Sequence, residues 1–164
     1  MLFRSYASEV EPLADNNACG LDNDLLIVFT SGTTGQPKGA KLTQSNFRSN
    51  AIMCRHAFTL NREDIVLNIL PLFHVGGLNI QPVPVLIEGG TVLISKAFNP
   101  SETLDAIAKH QVSQITTVPT VLSAMLSDEA WTTTDLSSLH AIAIGSTDVP
   151  ISLIKNSHDR GVPV

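Results

Sequence analysis

The hydrophobic positions of this chain form short apolar runs that alternate with segments of helical spacing. Runs of strand length lie at 25–29, 65–70, 91–94, 115–118 and 139–144, and the last four are β-branched and apolar on both faces. Strands that alternate with helices predict right-handed crossovers and a mostly parallel sheet with helices packed on both faces. The pattern therefore indicates an α/β fold.

Helix start signals occupy the intervals between these runs. The segment NPSETL predicts a helix that Asn99 caps, with Pro100 in its first turn. Thr43 is expected to cap another helix, and two more are expected from Pro119 and from Pro150. The side chains predicted to face the core are Phe47, Ala51, Cys54, Phe58, Leu104, Ile107, Ala108, Val121, Leu122, Met125, Leu126, Ile151 and Ile154. The segment HVGGLNIQPVPVLIEGG is ambiguous, because its prolines would kink a helix.

Length and charge narrow the class of protein. The chain has 164 residues, which suits one domain with a core of its own. Its 43% hydrophobic and 15% charged residues are typical of a globular protein. Ten basic and fifteen acidic residues give a formal net charge of -5 at pH 7. The chain therefore lacks the positive field that nucleic-acid and anionic-membrane binders need, and no nucleic-acid partner is expected.

Residues 1–24 differ from the rest of the chain in being polar, acidic and aperiodic, and they end in the turn formers ADNNACGLDND. We interpret them as a lead-in segment before a single domain at 25–164. They contain no apolar core of a signal peptide, and no run approaches the roughly 20 apolar residues that span a bilayer. A cytoplasmic protein without an integral membrane segment is therefore expected.

The segment TSGTTGQPKGA, which follows the first apolar run, combines hydroxyls, glycines and a lysine. The groups available to an anion are the hydroxyls of Thr30, Ser31, Thr33 and Thr34, the backbone N–H groups of Gly32, Gly35 and Gly39, and the ammonium of Lys38. Together they predict a polyphosphate site. It is not a Walker A loop, because Pro37 replaces the second glycine of that motif and Gly39 follows the lysine. The alternative is a solvent-exposed turn between a strand and a helix.

Further candidate residues lie where the predicted strands end. Ligands bind at the carboxyl ends of parallel strands, so functional residues are expected in the loops 30–39, 71–77 and 145–149. His74 follows Phe73 and precedes a Gly-Gly pair, which predicts a sharp turn at that edge. The alternative for His74 is a core histidine bonded to a backbone carbonyl.

Four segments of the chain resemble the acyl-adenylate-forming enzymes, which include acyl- and aryl-CoA synthetases, firefly-type luciferases and the adenylation domains of peptide synthetases. FTSGTTGQPKGAKLT resembles the first signature of this family, and LPLFHVGGLN resembles the second. TTVPTVLSAML and DLSSLHAIAIGSTDVP are similar to its third and fourth landmarks, in the same order. The resemblance covers residues 25–164 and implies a part of the large N-terminal domain of an acyl-CoA synthetase.

The resemblance also implies a reaction. In this family a carboxylate attacks the α-phosphorus of ATP, pyrophosphate leaves, and the thiolate of CoA then displaces AMP. Mg²⁺ is expected to accompany the nucleotide, with no metal ligand predicted in the chain. His74 and Lys38 are the expected catalytic residues, His74 because it would orient the acyl carboxylate. The residues implied to hold the β- and γ-phosphates are Thr30, Ser31, Gly32, Thr33, Thr34, Gly35 and Lys38, and those implied to line the adenine and acyl pocket are Gly145, Ser146 and Thr147.

The resemblance leaves the acid and the extent of the activity open. The form PLFHVGGLN favours a fatty or aromatic acyl-CoA synthetase. The alternatives are a peptide-synthetase adenylation domain and a non-catalytic nucleotide-binding or interaction module. The chain stops before the Tyr-Gly-x-Thr-Glu landmark of the family, so negligible adenylation activity is expected from it alone. A partial domain is also expected to expose an apolar surface and to self-associate.

Overall fold

The computed structural model describes residues 19–30 and 35–164 as six strands and seven helices. The strands are β1 (Asp24–Thr30), β2 (Lys38–Thr43), β3 (Ile65–Asn68), β4 (Thr91–Ile94), β5 (Gln114–Thr117) and β6 (Ala141–Ile144). The helices are α1 (Gln44–Phe58), α2 (Val75–Asn79), α3 (Pro82–Ile87), α4 (Pro100–His110), α5 (Pro119–Ser127), α6 (Ala130–Thr133) and α7 (Ile151–Asp159). None of these helices is both long enough and apolar enough to cross a membrane.

Four strands form a parallel sheet in the order β4-β3-β5-β6. β3 pairs in parallel with β4 and β5, and β5 pairs in parallel with β6. The apolar runs at 65–70, 91–94, 115–118 and 139–144 provide these strands, as predicted. Because each connection returns through at least one helix, the carboxyl ends of all four strands lie at the same edge. The predicted α/β fold with a mostly parallel sheet is confirmed.

Helices pack on both faces of this sheet. The larger core buries Leu104 and Ile107 of α4 and Leu122 of α5, all at 0% exposure. On the opposite face, Val66 of β3 packs with Val85 of α3 in a smaller core. Each such side chain contributes roughly 1.5–3 kcal/mol through its removal from water. The sheet edge that carries the loops is therefore held from two sides.

Side-chain caps define the two longest helices as the sequence predicts. Asn99 Oδ1 accepts a hydrogen bond from Glu102 N at 3.0 Å at the start of α4. At the start of α1, Thr43 Oγ1 accepts from Asn46 N while Asn46 Oδ1 accepts from Thr43 N, which completes a capping box. These bonds satisfy N–H groups that a helix N-terminus otherwise leaves unpaired.

Two details of the helical segments differ from the sequence pattern. The ambiguous segment forms two short helices, α2 and α3, that are separated at Ile80 and Gln81. The prediction that Ile151 is buried is wrong, because it is 82% exposed. The core-facing side of α7 instead presents Leu153, which packs against the larger core, and Ser157, which is fully buried.

β1 does not join the parallel sheet. It pairs with β2 in an antiparallel two-stranded sheet, with Thr30 opposite Lys38 at the loop end. The expectation that the run at 25–29 belongs to the parallel sheet is therefore wrong, although its strand conformation is confirmed. The sequence pattern does not predict β2, because glycine and lysine have low strand propensity. Pairing with the long apolar β1 overrides that local preference.

Candidate active site

A cavity of about 340 Å³ opens at the carboxyl edge of the parallel sheet. It lies between the loop after β3, the end of β5 and the loop after β6. The residues that line this edge cavity are Leu70, Pro71, Phe73, His74, Gly76, Gly77, Ile80, Thr116, Thr117, Val118, Gly145 and Ser146. Two of the three predicted functional loops, 71–77 and 145–149, therefore meet at one cavity.

His74 lines the edge cavity at the N-cap position of α2. Its Nδ1 accepts a hydrogen bond from Gly76 N at 3.1 Å, and the side chain is exposed. In a neutral imidazole, an accepting Nδ1 leaves the proton on Nε2. Nε2–H is therefore the donor that His74 can offer to a carboxylate. The alternative of a core histidine bonded to a carbonyl is wrong.

Gly77 allows the tight turn that positions His74. His74 N donates to Pro71 O at 3.1 Å, and Gly77 N donates to His74 O at 3.1 Å. A Cβ atom on Gly77 would overlap the carbonyl oxygen of Pro71 and lie 2.8 Å from that of Leu70. The turn in this form therefore requires glycine at position 77. At Gly76 the nearest atom to such a Cβ is 3.6 Å away, which is an ordinary contact.

A second cavity, of about 450 Å³, separates the hairpin from the loop that carries His74. The residues that line this hairpin cavity are Leu26, Ile27, Val28 and Phe29 of β1, together with Leu72, Phe73, His74, Val75 and Leu78. Phe73 and His74 line both cavities. The hairpin and the carboxyl edge of the sheet are therefore neighbours, with His74 between them.

Three of the predicted phosphate-binding residues lie in the described part of the hairpin. Thr30 and Lys38 face each other at the end of the ladder, where Thr30 Oγ1 donates to Lys38 O at 3.4 Å. Gly35 has a φ of +79°, a conformation that favours glycine. The other four, Ser31, Gly32, Thr33 and Thr34, lie outside the described residues. The loop is followed by a strand and not by a helix, and the alternative of a solvent-exposed turn stays open. Phosphate binding itself stays a prediction.

Only two of the three residues predicted to line the pocket from the loop after β6 lie at the edge cavity. Gly145 and Ser146 line the cavity, whereas Thr147 is exposed and is not among the lining residues. Ser146 has a φ of +79°, which costs roughly 1–2 kcal/mol for a residue with a Cβ. The chain thus reverses sharply after β6 despite the absence of a glycine at this position. The proposed contact with a nucleotide stays a prediction.

The sequence pattern does not reveal the wall that β5 provides. Thr116, Thr117 and Val118 line the edge cavity, and the rule that ligands bind at the carboxyl ends of strands applies to them as well. They escape notice because α5 begins at Pro119, so no polar loop marks the end of the strand. Ile80, which lines another side, lies in the segment that the prolines made ambiguous.

The site offers hydrogen-bond donors and apolar walls instead of a metal centre. Nowhere in 19–30 or 35–164 do three His, Cys, Asp or Glu side chains come close enough to hold a metal ion. Mg²⁺ that accompanies a nucleotide takes most of its ligands from phosphates and water, so its use stays a prediction, and we assign it no step. Burial raises the pKa of the Cys54 thiol on α1. The protonated thiol is a poor nucleophile, so Cys54 is not a candidate for covalent catalysis.

Comparison with known protein families places this site in context. A family model described as AMP-binding enzyme matches residues 4–163. The chain belongs to this family. The match covers nearly all of the sequence, and it confirms the resemblance to the acyl-adenylate-forming enzymes that the four segments indicate.

Relatives of this AMP-binding chain carry the names of CoA ligases. It is 45% identical over 145 residues to the indoleacetate–CoA ligase of Aromatoleum aromaticum, a match that covers 88% of this chain and 28% of the relative. It is 37% identical over 164 residues to the feruloyl-CoA synthase of an Amycolatopsis species, covering 98% of this chain and 33% of that protein. The chain spans about a third of the length of these curated relatives.

Solved structures of AMP-binding enzymes share the fold. The N-terminal domain of FACL13 from Mycobacterium tuberculosis, in an inhibitor-bound crystal structure, matches with a TM-score of 0.82 and 28% identity. This match covers 96% of the present chain and 38% of that chain. Apo MatB from Rhodopseudomonas palustris matches with a TM-score of 0.80 and 25% identity, covering 95% of this chain and 30% of that one. The described fold therefore corresponds to a part of the N-terminal domain of acyl-CoA synthetases.

Proposed function

We propose that this chain forms one half of the active site of an ATP-dependent acid–thiol ligase that activates an aromatic carboxylic acid. The observation that carries the proposal is the position of His74. Its Nε2–H is available beside the edge cavity, and the hairpin with Lys38 lies on the other side of the same residue. One acid and the phosphates of one nucleotide can therefore meet near His74.

The proposed reaction has two steps. A carboxylate oxygen of the acid attacks the α-phosphorus of ATP, and the bond to the β-phosphate oxygen breaks as pyrophosphate leaves. The sulfur of the CoA thiolate then attacks the acyl carbon, and AMP leaves with the electron pair of the acyl–oxygen bond. His74 would hold the carboxylate for in-line attack, and Lys38 would stabilise the charge on the departing pyrophosphate.

Two observations favour an aromatic acid over a fatty acid. Relatives of the chain are named for indoleacetate and ferulate. The edge cavity has apolar walls from Leu70, Ile80 and Val118, and Phe73 adds an aromatic ring. An aromatic ring gains from such a neighbour through edge or offset stacking, which contributes roughly 0.5–1.5 kcal/mol beyond the buried area. A fatty acid is the alternative.

The proposed function is tested by ATP–pyrophosphate exchange. The polypeptide from the complete gene is incubated with ATP, labelled pyrophosphate and one acid at a time from an aromatic, a fatty and an amino-acid panel. We expect exchange with aromatic acids at a rate at least about tenfold above that with fatty or amino acids. Exchange with amino acids alone would indicate a peptide-synthetase type of adenylation instead. Exchange with no acid would contradict the proposed function.

We also propose that two copies of the chain associate through β1. Leu25, Ile27 and Phe29 of β1 are 46%, 53% and 73% exposed, and Ile27 and Phe29 also line the hairpin cavity. The neighbouring strand β2 carries Lys38 and Lys41, whose charges discourage strand pairing on that side. Among the described residues β1 pairs with β2 alone, and it has no charge after Asp24, so its other edge is the better surface for a second copy.

Light scattering tests this association. We expect a concentration-dependent dimer for the native chain and a monomer for Ile27→Lys, because the new charge would have to be buried between the two copies. The matched control is Ile52→Lys on α1, since Ile52 is 49% exposed but lies on another element. A native chain that stays monomeric at high concentration would contradict the proposal.

A further inference from the structure

Thr116 carries an unusual hydroxyl in the wall of the edge cavity. The residue is 8% exposed, and its Oγ1 is buried without a hydrogen-bond partner among the described residues. A buried hydroxyl without a partner costs roughly 1–3 kcal/mol. The next residue differs, because Thr117 Oγ1 donates to Val118 O at 3.2 Å. The chain therefore retains one unsatisfied polar group beside the cavity.

No described group forms a hydrogen bond with the Thr116 hydroxyl. Gln114, two residues earlier on the same face of β5, is already held by Gln81 Nε2 at 3.1 Å and itself donates to Phe58 O at 2.9 Å. These bonds fix the strand on this face. Asn79 Oδ1 and Gln81 Oε1 are also buried without partners. A partner for the Thr116 hydroxyl is therefore most readily provided by a molecule that enters the cavity.

The residues shared between neighbouring cavities indicate how a bound acid would be oriented. The edge cavity shares His74 with the hairpin cavity. It shares Ile80, Thr116 and Gly145 with a third cavity of about 240 Å³, which we call the outer cavity. His74 and Thr116 thus mark the two ends of the edge cavity. An acid whose carboxylate lies at His74, next to the hairpin, extends its far end toward Thr116.

We propose that Thr116 determines specificity by hydrogen bonding to a hydroxyl on the aromatic ring of the acid, so that hydroxyaryl acids are preferred over unsubstituted ones. The inference rests on the proposed function. No hydrogen bond holds the Thr116 side chain, so one step of about 120° in χ1 moves the hydroxyl to the position that the methyl group now occupies, while the methyl group takes the position of the Cβ hydrogen. A ring hydroxyl both donates and accepts hydrogen bonds, so it can pair with the Thr116 hydroxyl whether that group acts as donor or as acceptor.

The experiment compares two ligands and three variants by ligand-observed NMR titration of the chain. The two principal ligands are phenylacetate and 4-hydroxyphenylacetate, and 3-hydroxyphenylacetate is added as a third, to test a second ring position. We expect a hydroxylated acid to bind the native chain about tenfold more tightly than phenylacetate. Thr116→Val, which has the same shape without the hydroxyl, should reduce this ratio to about one, whereas Thr116→Ser should retain most of it.

Thr103→Val is the matched control, because Thr103 is also a buried threonine, its hydroxyl already donates to Asn99 O at 2.7 Å, and it does not line the edge cavity. It should leave the ratio between the ligands as in the native chain, and circular dichroism melts should show that each variant is folded. A ratio near one in the native chain, or a ratio that Thr116→Val does not change, would overturn the role of Thr116 and leave the proposed function intact. If no aromatic acid binds at all, both the acid site and the role of Thr116 fail.

Discussion

Replacement of Gly77 by alanine is expected to destabilise the chain by about 3 kcal/mol and to abolish binding of the acid. The new methyl group would overlap the carbonyl oxygen of Pro71 and approach that of Leu70 to 2.8 Å. Both obstacles are backbone atoms, so the loop must shift as a whole. Because the same turn holds His74 through its N–H and C=O groups, a shift of this loop also displaces the imidazole from the edge cavity.

Urea denaturation measures the loss of stability, and titration with the carboxylic acid ligand measures the loss of binding. Gly76→Ala is the matched control, because its added methyl group would meet only His74 Nδ1, at 3.6 Å. It should change the free energy of unfolding by less than about 1 kcal/mol and preserve acid binding. If Gly77→Ala unfolds at the same midpoint urea concentration as the native chain, the predicted steric clash in the loop is contradicted.

Replacement of Lys38 by alanine is expected to lower acid-dependent pyrophosphate exchange by about 100- to 1000-fold in the complete polypeptide. The loss follows from the charge that develops on pyrophosphate as it leaves the α-phosphorus. Lys38 lies at the loop end of the hairpin, and in the proposed reaction it would neutralise that charge. The other cation of β2, Lys41, lies away from the loop.

Lys41→Ala is the control for Lys38, because Lys41 lies three residues further along the same strand. Its ammonium pairs with Asp24, away from the loop, and its side chain is 65% exposed. Loss of such a surface ion pair should change the exchange rate by no more than about threefold. Equal losses in the two variants would show that general positive charge, and not a specific contact of Lys38, supports the reaction.

The apolar pattern predicts the parallel sheet well, since burial on both faces leaves a clear signal in the sequence. The runs that become β3, β4 and β6 are mostly apolar, and β5 is marked by the β-branched residues Ile115, Thr116 and Thr117. β2 gives no such signal. Its conformation depends on backbone pairing with β1, a contact that local propensity does not encode.

The candidate site is predictable where chemistry is concentrated in one segment. His74 stands between an aromatic residue and two glycines, and the hairpin loop gathers its hydroxyls and lysine within ten residues. Thr116 gives no local signal, because a threonine in a buried strand is ordinary. The lack of a hydrogen bond to its hydroxyl depends on groups brought together by the tertiary fold, which the local sequence does not reveal.

The proposed function requires this chain to bring an acid to the α-phosphorus of ATP. The most direct measurement of that step is pyrophosphate exchange by the complete polypeptide with and without 4-hydroxyphenylacetate, because label returns to ATP only if the carboxylate has displaced pyrophosphate. We expect labelled ATP when the acid is present and none when it is omitted. Absence of label with every aromatic acid, or equal labelling without any acid, would contradict it.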